Sequence, residues 1–310
     1  MSERLKSTRG VRADVALGPM TTYKLGGSAD WFAEVEDEQH LVDVLVAAGD
    51  DVDVLVLGRG SNLLVADAGY RGLVVRLSGA FLEIAVEPDG VVCAGGAVPL
   101  PRVARTGAEA GRCGLEFYAG IPGTVGGAVK MNAGGHGSDT ATRLLSARIV
   151  ARITGDRRDR TAAEFAFGYR HSNLGPGEIV VSARFATEPC ERSAAEARIR
   201  EITRWRKEHQ PGGTFNAGSV FKNPPGDAAG RLIDEVGLKG HRCGGVSVSE
   251  MHANFLVADE HATAQDVWDL VWAVRRRVGE VAGVWLVPEI QFAGVFDRTG
   301  DEAMGPETAE

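Results

Sequence analysis

Cysteine is scarce in this chain of 310 residues, and its four occurrences are scattered: Cys93, Cys113, Cys190 and Cys243, with no C-x-x-C pair. That spacing argues against a zinc site and against a disulfide framework. Scattered free thiols fit a reducing compartment. The seven histidines show no H-x-x-x-H or similar ligand spacing, so no metal is expected. Long apolar runs are missing too. None approaches the roughly 20 residues that cross a bilayer, so no membrane insertion is expected. The opening MSERLKSTRGVR is basic but lacks the apolar stretch of a secretory signal, which makes the cytoplasm the expected location. There is no excess of positive charge: 34 Lys and Arg stand against 42 Asp and Glu, for a net charge of −8. A nucleic-acid partner needs a basic face, and none is evident. Nor is there a G-x-S-x-G elbow, so no serine reads as a hydrolase nucleophile.

What is present is ordinary in bulk and unusual in detail. With 44% hydrophobic and 25% charged residues, the chain reads as a globular protein long enough for about two domains. From Thr21 to Ser78 the pattern is a small β-α-β unit. Trp31–Val35 reads as a strand, Leu41, Val44, Leu45 and Ala48 recur at helical spacing, and Val52–Leu57, Leu63–Val65 and Leu73–Leu77 read as strands. Residues 79–188 are richer in strands: Phe81–Val86, Val91–Ala94, Ala147–Ile153 and Ile179–Ala186. A third stretch opens with a helix, for which Ser193 and Glu196 offer a capping box. Ala195, Ile199 and Ile202 would face its core, while Arg200, Arg204 and Lys207 form a basic stripe. Helices over 228–236 and 264–278 follow, then a strand near Ile290–Phe296. Both ends look loose: residues 1–13 are polar, and the tail after Phe296 has little to bury.

Two glycine-rich turns stand out. LGRGSNLLV after a strand invites a dinucleotide reading, but Leu63 occupies the third glycine position and no helix pattern follows. Its glycines would still let backbone N–H groups approach a phosphate, with Ser61 and Asn62 beside them; an ordinary strand-to-strand turn explains it as well. GIPGTVGG, residues 120–127, packs four glycines into eight positions, and a helix starting near Thr124 would aim N–H groups at an anion. A purely structural bend is the competing reading. Among side chains, Arg170 in FGYRHSNL, Ser219 in NAGSVFKNP and Glu289 in VPEIQF are the catalytic candidates. Singly, each also reads as a surface ion-pair residue, a turn serine or an edge carboxylate.

Taken in order, TTYKLGG, LGRGSNLLV, GIPGTVGGAVKMNAG, FGYRHSNL, NAGSVFKNP, AGRLIDEVGLKG, MHANFLV and VPEIQF closely resemble the UDP-N-acetylenolpyruvoylglucosamine reductases, also called UDP-N-acetylmuramate dehydrogenases, over about Val15 to Val295. The resemblance implies an α+β fold, with a two-part FAD-binding region of the vanillyl-alcohol-oxidase type and a C-terminal α+β substrate domain. The expected division is 14–78, 79–190 and 191–297, with 298–310 a disordered tail. It implies non-covalent FAD along Gly58, Arg59, Gly60, Ser61, Asn62 and Leu63, along Gly120, Ile121, Pro122, Gly123, Thr124, Gly126 and Gly127, and near Asn132, Ala133 and Gly134. It implies NADPH as reductant and a UDP-sugar as substrate, in ping-pong order at one shared site, with Tyr169, Arg204, Lys207, Lys222 and Asn223 on the substrate side. Only eight residues separate Arg170 from Ile179, and no tyrosine follows Tyr169, so the chain resembles the shorter form of the family, without the inserted tyrosine loop.

The family's chemistry gives the three candidates roles. Hydride delivered to an enol ether leaves negative charge on the adjacent carbon and its carboxylate, which needs groups already in place. Arg170 would meet the carboxylate with a planar cation. Glu289 would be held protonated and donate a hydrogen bond, and Ser219 would deliver the proton, with Lys222 a nearby candidate to assist it. A monomer is expected. Two other functions fit parts of the pattern: a sugar or alcohol oxidase that tethers its flavin through histidine, and a non-catalytic flavin or nucleotide sensor.

Overall fold

The structure is a computed structural model that describes residues 2–212 and 215–297. The expected disordered tail at 298–310 lies outside the described residues. Two compact units make up the chain, and neither is continuous in sequence. The first comprises 1–14, 31–59 and 72–206; the second comprises 15–30, 60–71 and 207–310. The expectation of three consecutive segments thus differs from the observed division. The physical reason is that short early segments complete the core of the later unit: Tyr23, Leu64 and Ala66 pack with Phe221, Leu232 and Val271 in one buried cluster. Proximity in sequence does not signal such a partnership.

The first unit holds two cores. One lies under the helix Glu38–Ala48, where Leu41, Val44, Leu45 and Ala48 are buried as their spacing requires. Asp37 caps that helix by accepting from the His40 N–H. Val54–Val56 pairs parallel to Tyr70–Leu77, and the connection between them contains the strand Leu63–Val65 and no helix. The other core is covered by a five-stranded antiparallel sheet in the order Arg157–Thr161, Leu144–Ala151, Glu178–Phe185, Val92–Gly95, Ile84–Val86. One expected strand is shorter than its pattern suggested. Residues 79–82 form a 3-10 turn, which buries Phe81 without extending the sheet.

The second unit is built round the helix Ala264–Ala282. Thr263 and Asp266 form its capping box, and Val267, Leu270, Val271, Val274 and Val278 are all buried. Gly283, at φ 69°, ends it in the left-handed conformation. Gln291–Ala293 runs parallel to Leu63–Val65 in a two-stranded pair.

Three expectations are corrected. The N-terminal end is not loose: Ser2–Ser7 is a helix and Val11–Ala16 a strand, because Leu5 is buried in the core with Leu41 and Val44. The Ser193–Glu196 capping box does not form. The helix Arg192–His209 already starts at Arg192, and Glu196 pairs with Arg192 (2.6 Å) and Arg200 (3.7 Å) instead. Charge pairing along the helix outcompetes the cap. Cys113 and Cys190 are joined in a disulfide, which leaves Cys93 and Cys243 free. Their 77-residue separation carried no local signal, but the antiparallel pairing of Arg112–Cys113 with Glu188–Pro189 brings the two thiols together. No helix among the described residues is long and apolar enough to cross a membrane.

Candidate active site

In the first unit a pocket opens between the parallel strands and the glycine-rich helix start. Its walls include Leu55, Leu57, Leu77, Ile179 and Val180, with Arg59, Arg76 and Lys130 supplying positive charge. Gly58, Gly96, Gly126 and Gly127 line it as well. Glycine is needed there for close packing. A Cβ on Gly58 would meet Thr124 Oγ1 at 2.8 Å, and one on Gly126 would meet the Gly96 carbonyl at 3.3 Å. Apolar walls, bare backbone and converging cations fit a flat, diphosphate-bearing cofactor. Besides Glu34, this wall holds the anion Glu178. Burial works to raise its carboxyl, but the Gly175 N–H and the Arg158 and Arg160 guanidiniums outweigh that and hold it below the usual carboxylate range.

The expected cofactor residues divide on inspection. Gly58, Arg59, Thr124, Gly126 and Gly127 line the pocket. Gly60, Ser61, Asn62 and Leu63 belong to the second unit. Gly120, Ile121, Pro122 and Gly123 lead into the helix Val125–Met131, and Asn132, Ala133 and Gly134 lead out of it; none is among the lining residues. Two glycines of this stretch are needed for packing. A Cβ on Gly120 would strike His136 Nε2 at 2.8 Å, and one on Gly134 would strike Asp139 Cβ at 2.6 Å. The density of glycine that suggested a ligand therefore has two causes.

Arg170 lies in the first unit, at the tip of a two-residue turn closed by Gly168 and His171. It is half-buried, and its guanidinium lies 5.4 Å from the ring centre of the exposed Tyr169. Only residues 171–177 separate it from the strand Glu178–Phe185, which leaves no room for an inserted loop.

Ser219 and Glu289 both lie in the second unit, and its backbone brings their segments side by side. The Glu289 N–H donates to the Val220 carbonyl (2.7 Å), the Lys222 N–H donates to the Val287 carbonyl (2.8 Å), and Phe221 bridges Pro288. Two asparagines secure this arrangement. Asn254, 3% exposed, donates through Nδ2 to the Phe221 carbonyl and accepts the Phe221 N–H on Oδ1, both at 2.9 Å. Its carbonyl also accepts the Val220 N–H. Asn62 Nδ2 donates to the Glu289 carbonyl (2.9 Å), and its own carbonyl accepts the Gln291 N–H (3.0 Å). Asn254 had no role assigned from sequence, although a lone amide inside the apolar run MHANFLV was the available signal. Among the expected substrate residues, Arg204 and Lys207 are exposed on the helix Arg192–His209, Lys222 is half-buried, and Asn223 Oδ1 accepts the Ala229 N–H at the start of the next helix (3.0 Å).

Comparison with known proteins bears directly on this site. The model for the C-terminal domain of UDP-N-acetylenolpyruvoylglucosamine reductase matches residues 210–293, which contain Ser219, Lys222, Asn254 and Glu289. The model of an FAD binding domain matches residues 29–158, which contain much of the pocket wall. A UDP-N-acetylenolpyruvoylglucosamine reductase from Caulobacter sp. (strain K31) is 46% identical over 300 residues, 94% of this chain and 97% of that protein. The chain belongs to the UDP-N-acetylenolpyruvoylglucosamine reductase family. Another of these reductases, from Acidiphilium cryptum (strain JF-5), is 44% identical over 94% of each chain. The crystal structure of the reductase from Thermus caldophilus superposes with a TM-score of 0.80 at 38% identity, covering 92% of this chain and all of that one. As a member of the reductase family with an FAD-binding domain, the protein is a flavin-dependent oxidoreductase of the expected α+β class.

Proposed function

We propose that this protein uses NADPH to reduce the enolpyruvyl group of UDP-N-acetylglucosamine enolpyruvate, giving UDP-N-acetylmuramate. The observation that carries the reading is the pairing of the Ser219 segment with Glu289, held by Asn254 and Asn62. FAD would sit in the glycine-lined pocket, with Arg59, Arg76 and Lys130 available to its diphosphate. When bound, it takes two electrons from NADPH and supplies them as hydride to the terminal enolpyruvyl carbon.

The remaining steps belong to side chains. Negative charge grows on the adjacent carbon and spreads into its carboxylate. Arg170 meets that carboxylate with a fixed, planar cation. Glu289, in its protonated form, donates to the same group. Ser219 Oγ gives its proton to the charged carbon, which completes a reduction by one hydride and one proton. The serine is then reprotonated from solvent, with Lys222 placed three residues on to assist. In this reading Tyr169 and Asn223 would complete the substrate side. The decisive test is anaerobic: NADPH bleaches the bound flavin, and addition of the enolpyruvyl sugar nucleotide restores its colour. Failure of the sugar nucleotide to restore it would overturn the reading. Flavin that stays with the denatured chain would favour a covalent oxidase instead.

Arg204 and Lys207, exposed on one helix, are the proposed clamp for the UDP diphosphate. A charge-assisted hydrogen bond of this kind is worth roughly 1.5–3 kcal/mol, so Lys207→Ala should raise the KM for the UDP-sugar about tenfold or more. Steady-state titration of both substrates checks it. The reading carries with it a monomeric, cytoplasmic enzyme, and sedimentation as a single chain checks the first.

A further inference from the structure

We propose that Asn132 is a positioning residue for Arg170. It grips the turn that carries the guanidinium, and the proposal rests on the reading of Arg170 given above. The turn is closed in both directions: the Gly168 N–H donates to the His171 carbonyl (3.0 Å), and the His171 N–H donates to the Gly168 carbonyl (3.2 Å). Arg170, at φ 53°, lies in the left-handed region, and so does Ala166 just before the turn, at φ 42°. Neither has the missing Cβ or the short polar side chain that makes this region easy to occupy. Two such residues within five positions mark a loop whose conformation is imposed by its surroundings.

Asn132 supplies the constraint. It is 4% exposed and caps the helix Val125–Met131 in the left-handed conformation. Nδ2 donates to the Gly168 carbonyl (2.9 Å) and to Asp139 Oδ2 (3.2 Å), while Oδ1 accepts the Ala141 N–H (2.9 Å). The Gly168 oxygen is the same atom that accepts from His171, so the amide holds the atom that closes the turn. A second tie comes from Ser172, whose Oγ donates to the Lys130 carbonyl in the same helix (2.8 Å). That helix contributes Gly126, Gly127 and Lys130 to the pocket wall and ends in two bonds to the Arg170 turn. One short rigid element therefore sets both the pocket wall and the direction of the cation. A residue needed only to fill space would not require an amide with all its polar atoms engaged in this way.

Asn132→Gly separates the roles, because glycine keeps the left-handed cap and removes only the amide. Flavin content and the rate of flavin reduction by NADPH are measured first and set the reference for the second half-reaction. Oxidation by the enolpyruvyl substrate should slow about 10- to 100-fold, the loss that a misplacement near 1 Å produces. Amide exchange in the peptide spanning 165–174 should quicken. The double variant Asn132→Gly/Arg170→Ala should be no slower than Arg170→Ala alone, since the amide acts through the arginine. Unchanged oxidation in Asn132→Gly, or additive losses in the double variant, would overturn the positioning role and leave Arg170 in place. If Arg170→Ala itself behaves as wild type, the reading of Arg170 falls and this proposal with it. Should Asn132→Gly shed its flavin, Ser172→Ala carries the test: a smaller slowing of the same half-reaction is expected, and wild-type oxidation overturns the proposal.

Discussion

In Ser219→Ala, NADPH should bleach the flavin at the normal rate, while recovery of the colour by the enolpyruvyl substrate slows about 10²–10⁴-fold, the usual effect of losing a proton donor. The substitution is clean. Gly218, at φ 75°, makes the bend before the serine, and the residues after it are fixed through backbone bonds to Asn254 and Glu289. Alanine leaves all of these in place and removes only Oγ. The two half-reactions divide the outcome. A defect in both would point to a disturbed site, whereas a defect in the second alone isolates proton delivery. Stopped-flow absorbance under anaerobic conditions measures each directly. Recovery at the wild-type rate would remove Ser219 from the mechanism. It would leave Arg170 and Glu289 as carboxylate ligands with the proton coming from elsewhere.

The second large effect is on stability. Replacing both Cys113 and Cys190 with alanine should lower the free energy of unfolding by up to roughly 4 kcal/mol, the loop-entropy scale for a bond spanning 77 residues. The bond ties the chain entering the glycine-rich stretch at Gly114 to the chain entering the helix Arg192–His209. Releasing it removes the closure of that one long loop from the unfolded ensemble. Denaturant midpoints measured with and without a thiol reductant provide the check. The wild-type midpoint should fall on reduction to that of the double variant, and the variant should not respond. Equal midpoints under both conditions would show that the bond contributes nothing in solution.

Local patterns in the chain translated well into structure. The four apolar positions from Leu41 to Ala48 and the five from Val267 to Val278 are buried as their spacing required. The strand Leu63–Val65 forms over the expected residues. In these segments the deciding interactions lie within a few residues of each other, so periodicity is sufficient. The family, and with it the flavin, was legible for another reason: eight ordered motifs survive as strings whatever their spatial roles. Inside the motifs the roles were not legible. Gly58 and Gly120 look alike in sequence, but one lines a pocket and the other makes room for His136. The side chains of Asn62 and Asn132, two of the residues expected near the cofactor, are bonded to the Glu289 and Gly168 carbonyls, which no reading of the motifs foretold.

The sequence by itself determined the element types, the core faces of the long helices and the family to which the chain belongs. Tertiary structure alone decided that Tyr23 and Leu64 complete the core around Val271, that Cys113 meets Cys190, and that Asn62 holds a residue 227 positions away. Periodicity encodes what a residue does relative to its near neighbours. Which distant segments share a core or a hydrogen bond depends on how the assembled elements pack, and no window along the chain contains that information.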